Sequence, residues 1–271
     1  MKEEKLWDGF HLGSIKNNLK TSYIGKKIYY YDVTDSTNIK AKELAMDGEK
    51  EGSIILAEAQ TAGRGRLKRK WLSPKGSNIL LSVILRPRLE LKEVFLITMV
   101  ASVAIAKIVR SHIKLAAEIK WPNDIYIKGK KVCGILTEFN TEKEIIDFIV
   151  LGVGINVNFN TAFYPEIKEV ATSLSMEKGK KISRNKLLLQ FLFQLEKEYE
   201  ELKRKKVEEL RKSWCDYSCV LGKNVTIESF GTIYYGKALN IDKEGSLIIQ
   251  NKEGQLERIL SGDVQVKSIS P

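Results

Sequence analysis

The sequence predicts an α+β fold, in which a mixed-sheet domain precedes a small C-terminal β-barrel. Strand-like and helix-like segments are mixed without a regular βαβ alternation. A hairpin pattern over residues 125–139 indicates antiparallel pairing. From Gly222 onward, short β-rich runs are cut by recurring glycines, a spacing typical of a barrel of about fifty residues.

In the first part of the chain, the elements are predicted from the spacing of apolar residues and from the turn and capping residues between them. We expect one or two helical turns at 14–19, strands at 27–33, 53–61 and 78–85, and helices at 39–46 and 92–110. Ser36 and Thr37 precede the helix at 39–46, so their simplest interpretation is N-capping. The strands at 53–61 and 78–85 flank a strongly basic loop, which makes that loop the first candidate for a binding site.

The rest of the chain adds further strands and one long helical region, and the chain as a whole divides into three predicted units. Extended pieces at 118–121 and 125–127 surround a turn, the second hairpin arm lies at 132–139, and an apolar strand at 145–157 contains Gly152 and Gly154. One long helical region is expected at 185–217. The predicted units are a short connector-like segment at 1–25, a larger domain at 26–218, and the barrel at 219–271.

Composition narrows the class of protein. The chain has 271 residues, 43% of them hydrophobic, and a net charge of +11, which favours either an anionic partner or a lysine-rich surface. Three cysteines and two histidines argue against a disulfide framework and a zinc site, and favour the cytoplasm. The N-terminus lacks a signal-type apolar core, and the most apolar run, 94–106, is too short to span a bilayer. We therefore expect a buried helix there and no membrane partner.

The basic loop is Gly63-Arg64-Gly65-Arg66-Leu67-Lys68-Arg69-Lys70-Trp71. Its glycines allow backbone amides to turn toward a ligand. Arg64 and Arg66 can form bidentate contacts with carboxylate or phosphate, and Trp71 can cover an aromatic ring. The pattern alone favours a ligand site about equally with its alternative, which is a nonspecific nucleic-acid patch or a solvated charged loop. The sequence contains neither a Walker-type nor a dinucleotide-type glycine motif.

A second motif, Lys120-Trp121-Pro122-Asn123-Asp124, places a cation, an amide and a carboxylate around a rigid turn. Asp124 can hold Mg²⁺ or a sugar hydroxyl, or accept a proton, and Lys120 can meet a phosphate. The alternative is a structural turn, because Asn and Asp are frequent turn residues. Lys131 begins a strand beside a tight turn and can reach into a cleft, although alone it would be an ordinary hairpin lysine.

As an ordered set, these motifs resemble those of the biotin protein ligases. The set consists of Asp35-Ser36-Thr37-Asn38, Gln60-Thr61-Ala62-Gly63-Arg64-Gly65-Arg66, Arg69-Lys70-Trp71, Lys120-Trp121-Pro122-Asn123-Asp124, Lys131-Val132-Cys133-Gly134-Ile135-Leu136 and Gly152-Val153-Gly154-Ile155-Asn156. The resemblance covers about residues 14–265. It implies a mixed-sheet catalytic domain of the biotin/lipoate ligase type with an SH3-like C-terminal barrel.

The resemblance implies an ATP-dependent ligase that uses Mg²⁺. Biotin would be activated to biotinyl-5′-AMP and then transferred to a specific lysine of a biotin carboxyl carrier protein or domain, such as that of acetyl-CoA carboxylase. A lipoate or octanoate ligase is the alternative with the same core fold, but it lacks the Gly-Arg-Gly-Arg and Lys-Trp-Pro-Asn-Asp motifs. A nucleic-acid-binding, biotin-responsive regulator is the alternative from another class. Only residues 1–26 precede the first strand, so DNA binding is not expected; a homodimer remains open.

The resemblance also implies roles for individual residues. The catalytic candidates are Arg66, Lys131, Asp124 and Lys120. The candidates for binding biotin are Ser36, Thr37, Asn38, Gln60, Arg64, Gly65, Arg66, Lys131 and Gly134. The candidates for binding ATP and the adenylate are Arg64, Arg66, Lys70, Trp71, Lys120, Asn123, Asp124 and Asn156. Asp124 is the candidate ligand for Mg²⁺. Residues 63–71 are expected to be poorly ordered without ligand, and residues 67–71 are expected to fold over the adenylate as a lid.

Overall fold

A computed structural model of the chain describes residues 9–142 and 145–266. Residues 1–8 of the predicted connector segment and 267–271 of the predicted barrel lie outside the described residues, and the side chain of Lys68 is not described. The α+β prediction is confirmed, because a mixed sheet with helices is followed by a separate antiparallel sheet.

Most predicted elements occur within a few residues of their expected positions. The first sheet contains β1 (Ile28–Tyr31), β2 (Ile54–Ala57), β3 (Ile79–Leu85), β4 (Glu118–Lys120), β5 (Asp124–Ile127), β6 (Lys130–Glu142) and β7 (Ile145–Ile155). The second contains β8 (Asn224–Ser229), β9 (Thr232–Ile241), β10 (Leu247–Gln250), β11 (Leu256–Ile259) and β12 (Asp263–Val266). The described α-helices are α1 (Leu12–Asn18), α2 (Thr37–Met46), α3 (Phe95–Ile108), α4 (Leu174–Lys178), α5 (Arg184–Lys203) and α6 (Val207–Tyr217).

The first sheet has the order β1-β2-β3-β7-β6-β5-β4. Its β1–β2 pair is parallel and its other pairs are antiparallel, including the predicted β5–β6 hairpin. Every residue of β3 is buried, as expected for a central strand with an almost continuous apolar sequence. The basic loop follows β2 and precedes β3, so it emerges beside the centre of this sheet.

The apolar helix is longer than the sequence analysis expected. A 3₁₀ turn at Leu91–Glu93, α3 and a π-helical turn at Val109–Ile113 together span 23 residues. This segment is long and apolar enough to cross a membrane by length and composition, so the judgement that it was too short was wrong. Its most apolar window is 78% buried inside the protein, which agrees with the predicted buried helix.

The helical region expected at 185–217 is divided into two helices. The chain leaves α5 through Lys205, whose φ of 62° is left-handed, and re-enters a helix at Val207. At its other end, α5 is anchored by Arg184, whose fully buried guanidinium lies 2.7 Å from the Glu58 carboxylate. Burial of both partners makes this pair costly to break from one side. It fixes α5 against the end of β2, next to the start of the basic loop.

The second sheet has the order β11-β10-β9-β8-β12 and is entirely antiparallel. One of its contacts with the preceding part of the chain is made by the Gly245 carbonyl, which accepts a 3.1 Å hydrogen bond from Trp121 Nε1. A Cβ at Gly245 would lie 2.2 Å from Phe95, so this close approach requires glycine. Within the described residues no pairing joins β11 to β12, and both the closed barrel and the domain boundaries remain predictions.

Candidate active site

A cavity of about 310 Å³ lies where the N-terminus of α2, the basic loop and the ends of β5, β6 and β7 meet. It brings together fourteen of the predicted site residues. They are Ser36, Thr37, Asn38, Gln60, Arg64, Gly65, Arg66, Lys70, Trp71, Asn123, Asp124, Lys131, Gly134 and Asn156. Segments separated by as many as 120 residues in the chain therefore converge on one site.

Lys120 is the predicted site residue that the structure does not place on the cavity wall. Its ammonium lies 4.8 Å from the centroid of the Tyr126 ring and 3.3 Å from the Tyr126 hydroxyl. Tyr126 itself lines the cavity. The cation–π contact holds Lys120 behind that ring. Its expected contact with phosphate remains a prediction, and Tyr126, two positions after Asp124, lies on the wall.

One end of the cavity is a neutral hydrogen-bonded floor. The backbone N–H and the hydroxyl of Thr37 both donate to Gln60 Oε1, at 2.7 and 3.1 Å. The Ser82 hydroxyl lies 2.8 Å from Thr37 Oγ1 and 2.6 Å from Asn38 Oδ1. Ser36 occupies the N-cap position of α2, but no side chain caps this helix, so the capping interpretation does not account for these residues.

The amide of Asn38 is held from both sides. Its Nδ2 donates to Glu138 Oε2 at 2.7 Å and to the Leu136 carbonyl at 3.3 Å. Its Oδ1 would lie 2.1 Å from a Cβ at Gly152, so β7 must carry glycine at this point. The floor is therefore fixed in one arrangement by contacts within the first sheet and α2.

The basic loop is a narrow, self-paired structure. The Trp71 N–H donates to the Gly63 carbonyl at 3.0 Å, and the Gly65 N–H donates to the Arg69 carbonyl at 2.7 Å. The turn at its tip contains Leu67, whose φ is 54°. This pairing directs Arg64, Arg66, Arg69 and Lys70 toward the cavity wall.

Two arginines of the loop contact the second sheet. Arg66 Nη2 donates to Ser261 Oγ at 2.7 Å, and its Nη1 donates to the Gly262 carbonyl at 3.3 Å and to Asn123 Oδ1 at 3.2 Å. Arg69 forms an ion pair with Asp263. Burial lowers the pKa of Arg66 from its ordinary value, although the group remains a cation. The loop thus depends on two sheets for its position.

The indole of Trp71 lies directly on the first sheet. A Cβ at Gly154 would be 2.6 Å from Trp71 Cε2, and one at Gly134 would be 2.9 Å from Cζ3. These glycines are cross-strand partners in β6 and β7, so together they form a flat platform for the ring. The Lys131 ammonium lies 5.5 Å from the indole centroid and 2.7 Å from Asp124 Oδ1.

The cavity wall carries more positive than negative charge. Its basic side chains are Arg64, Arg66, Arg69, Lys70 and Lys131, and its carboxylates are Asp124 and Asp263. Five cations against two anions inside a concave site favour an anionic ligand. One cavity therefore combines a neutral floor with a positively charged wall. This combination suits a ligand that has an uncharged polar ring and an anionic tail.

The donor set fits a magnesium ion that is carried by phosphates. Among residues 9–142 and 145–266, no group of three or more His, Cys, Asp or Glu side chains could hold a metal ion. Mg²⁺ commonly uses one or two carboxylates together with substrate phosphates and water. Asp124 supplies one such carboxylate on the wall.

The sequence analysis missed several residues of this site. Ser82 is a single hydroxyl inside the apolar run of β3, and that polar interruption was a usable signal. Asp263 and Glu138 carry no local motif, because each contacts a residue about a hundred or more positions away. Phe159, Ile167 and Val170 form an apolar wall from the segment after β7, for which the sequence analysis expected no role.

Comparisons with known proteins agree with this geometry. The family model described as "Biotin/lipoate A/B protein ligase family" matches residues 30–156, and "Biotin protein ligase C terminal domain" matches residues 220–267. The Bacillus subtilis protein named bifunctional ligase/repressor BirA is 38% identical over 253 residues, which cover 93% of this chain and 78% of that protein.

Two further similarities extend over most of the chain. The biotin--[acetyl-CoA-carboxylase] ligase of Mycobacterium tuberculosis is 32% identical over 237 residues, which cover 85% of each protein. The solved structure of the biotin protein ligase from Aquifex aeolicus in complex with biotin and ATP has a TM-score of 0.77 at 29% identity. That match covers 89% of this chain and 99% of the other.

Proposed function

The chain belongs to the biotin protein ligase family, and from that premise we propose how its cavity activates biotin with ATP and transfers it to a carrier lysine. The observation that carries the proposal is the union of a neutral hydrogen-bonded floor and a cationic wall in one cavity. The relative from Aquifex aeolicus has been solved with biotin and ATP together, which supports both substrates.

The floor would hold the ring end of biotin. A ureido group has N–H donors and a carbonyl acceptor, and it needs partners for both when it leaves water. Thr37 and Asn38 offer a hydroxyl and an amide, and Gln60 adds a second amide. Ser36, also on the wall, would contact the neighbouring part of the ring. We assign these four residues to biotin recognition.

The cationic wall would hold the reacting groups. In the first half-reaction a biotin carboxylate oxygen forms a bond to the α-phosphorus of ATP, and the bond from that phosphorus to pyrophosphate breaks. Both substrates are anions, so cations must offset their repulsion and stabilise the charge that develops on the phosphate oxygens. Arg64 and Arg66 would act from the basic loop together with the Gly65 amide, and Lys131 from β6, where Gly134 leaves space beside it.

The nucleotide would lie between Trp71 and the segment after β7. Trp71 offers an aromatic face, and Asn156 has a buried Oδ1 for which no hydrogen-bond partner is found among the described atoms. Asn123 and Lys70 complete the wall near the phosphates. When bound with the triphosphate, Mg²⁺ would neutralise part of its charge, and Asp124 is the carboxylate that would contact it.

In the second half-reaction the amine of an acceptor lysine attacks the activated carbonyl, an amide bond forms, and AMP leaves. Asp124, which pairs with Lys131, would accept a proton from that amine. The acceptor would be a carboxyl carrier domain, as the name of the Mycobacterium tuberculosis relative suggests. A cytoplasmic location, where ATP is available and the three free cysteines stay reduced, is part of the proposal. The reaction as described requires neither DNA nor a second copy of the chain.

Pyrophosphate release tests this function directly. The purified chain is supplied with ATP, Mg²⁺ and one acid at a time: biotin, lipoate or octanoate. We expect release with biotin alone, followed by biotinylation of an added unmodified carrier domain. Release only with lipoate or octanoate would identify the other branch of the fold family. Binding of duplex DNA with a steep salt dependence and no release with any acid would support the regulator instead.

A further inference from the structure

Two large apolar residues adopt a backbone conformation that apolar side chains rarely accept. Leu67 has φ 54° and is 70% exposed, and Phe230 has φ 48° and is 90% exposed. A left-handed backbone is unfavourable for bulky residues, and glycine or asparagine usually occupies it. Neither side chain is buried within the chain, so burial does not offset the unfavourable backbone conformation. Such strain in an exposed apolar residue points to a function outside the fold.

The two residues are 163 positions apart in the chain, but each follows a residue that bonds to Ser261. Ser229, next to Phe230, donates its hydroxyl to the Ser261 carbonyl, and Arg66, next to Leu67, donates to Ser261 Oγ at 2.7 Å. The turn between β11 and β12 therefore contacts both the basic loop and the end of β8 beside Phe230. That turn carries Leu260, which is 60% exposed. We call Leu67, Phe230 and Leu260 the apolar rim.

The apolar rim borders the entrance of the cavity. Arg66 and Asp263 both line the cavity, and they lie one and three positions from Leu67 and Leu260 respectively. Arg64 and Lys70, also on the wall, have exposed side chains beside the rim in the same loop. The entrance is thus edged by an apolar surface with cationic neighbours, a pattern typical of a contact with a protein that carries acidic groups around an apolar spot.

We propose that the apolar rim is the docking surface for the acceptor domain, a folded protein domain with acidic groups around the apolar surface near its target lysine. This inference rests on the proposed function. The lysine amine must reach the activated carbonyl inside the cavity, so the surface around that lysine has to lie across the entrance. The rim supplies the apolar contact there, and Arg64 and Lys70 supply the charge complement.

The experiment uses the full chain with Phe230→Asn and Leu260→Ser. Asparagine accepts a left-handed backbone, so Phe230→Asn keeps the turn while it removes the ring. Biotinylation is measured against the concentration of a purified, unmodified carboxyl carrier domain. We expect the KM for the carrier to rise about tenfold in each variant with kcat unchanged, as for the loss of a central interface residue. Biotin-dependent pyrophosphate release without carrier and the melting temperature are expected to stay at wild-type values.

Met46→Asn is the matched control, because Met46 is 66% exposed and lies at the far end of α2. It is expected to leave every one of these quantities unchanged. An unaltered carrier KM in both rim variants would overturn the inference, and so would an equal rise in Met46→Asn. Loss of a wild-type dimer in Phe230→Asn would show that the rim pairs with a second copy instead. Absence of biotin-dependent pyrophosphate release in the wild type would refute the proposed function itself.

Discussion

The two ends of the cavity are built in different ways. The floor is buried and uncharged: Ser36, Thr37 and Asn38 are 2–5% exposed, and their partner Ser82 is fully buried. Its contacts lie within the first sheet and α2, apart from those with Gln60, which follows β2. The basic loop is charged and more exposed, with 66% of the Arg69 side chain accessible, and it bonds to itself and to the second sheet. One end is preformed by a single sheet, whereas the other is assembled from two.

This difference separates two tasks of the site. A preformed neutral floor loses little conformational entropy when it binds a neutral ring, so it is suited to selecting the acid. Charges that face a reacting phosphate act most strongly where charge develops, so they are suited to lowering the barrier. Substitutions at the floor should therefore change biotin affinity, and substitutions in the loop should change the rate of adenylation.

Arg66→Ala is the largest expected effect. It removes a guanidinium from the cavity wall and three hydrogen bonds to Asn123, Ser261 and Gly262. We expect biotin-dependent pyrophosphate release to fall by about 10²–10³-fold, as for the loss of one donor to a developing anion. The measurement is single-turnover release at saturating biotin and ATP.

Arg66→Lys is its matched control, since it retains the charge without the planar fork. An intermediate rate is expected, because an ammonium cannot reproduce a bidentate contact. Circular dichroism and thermal melting check that both variants remain folded. Wild-type formation and retention of the adenylate in Arg66→Ala would contradict the role assigned to this arginine.

Gly154→Ala is the next largest effect, and it tests the platform under Trp71. The added Cβ would lie 2.6 Å from the indole, so the ring must move off the sheet. We expect the KM for ATP to rise about tenfold, with biotin affinity unchanged, because overpacking commonly costs about 1–3 kcal/mol. Gly13→Ala, with no atom within 4 Å of the new Cβ, is the control. An unchanged KM for ATP in Gly154→Ala would separate Trp71 from nucleotide binding.

Asp263→Asn is the smallest expected effect. This carboxylate is paired with an arginine that is mostly exposed, and exposed pairs contribute little to stability. Its removal leaves Arg69 free to attract phosphate, so we expect the KM for ATP to fall by up to about threefold at low salt and to return toward wild type at high salt. The assay is pyrophosphate release across a salt series. A severalfold rise in KM would show that the tether of the loop matters more than its charge.

Local sequence patterns were sufficient to identify the floor and the loop, each as a separate motif. The glycines and arginines of residues 63–66 and the polar run at 35–38 stand out in the sequence, and β3 follows from its apolar run. For Lys120 the motif gave the spacing but not the direction of the side chain, whose ammonium contacts the Tyr126 ring. The division of the helix at Lys205 depends on a single left-handed residue, for which the helical pattern gave no warning.

Contacts between segments far apart in the sequence could not be predicted from local sequence patterns. The pairing of Arg69 with Asp263 joins positions 194 residues apart, and no spacing rule connects them. The same holds for the clamp of Arg66 onto Ser261. These contacts make the second sheet part of the site, whereas the sequence analysis treated it as a separate barrel.

The division between floor and loop is tested most directly by titration calorimetry of biotin alone, without ATP. Thr37→Val removes a hydroxyl from the floor, and Thr21→Val, equally buried at 4% but bonded to the Ile24 carbonyl elsewhere, is its control. We expect Thr37→Val to weaken biotin binding by about 10–100-fold, the cost of an unpaired buried polar group. Thr21→Val is expected to stay close to wild type, and Arg66→Ala, which removes one cation from the wall that would hold the carboxylate, is expected to weaken biotin binding less than Thr37→Val. Loss of biotin binding in Arg66→Ala, together with wild-type binding in Thr37→Val, would contradict the account.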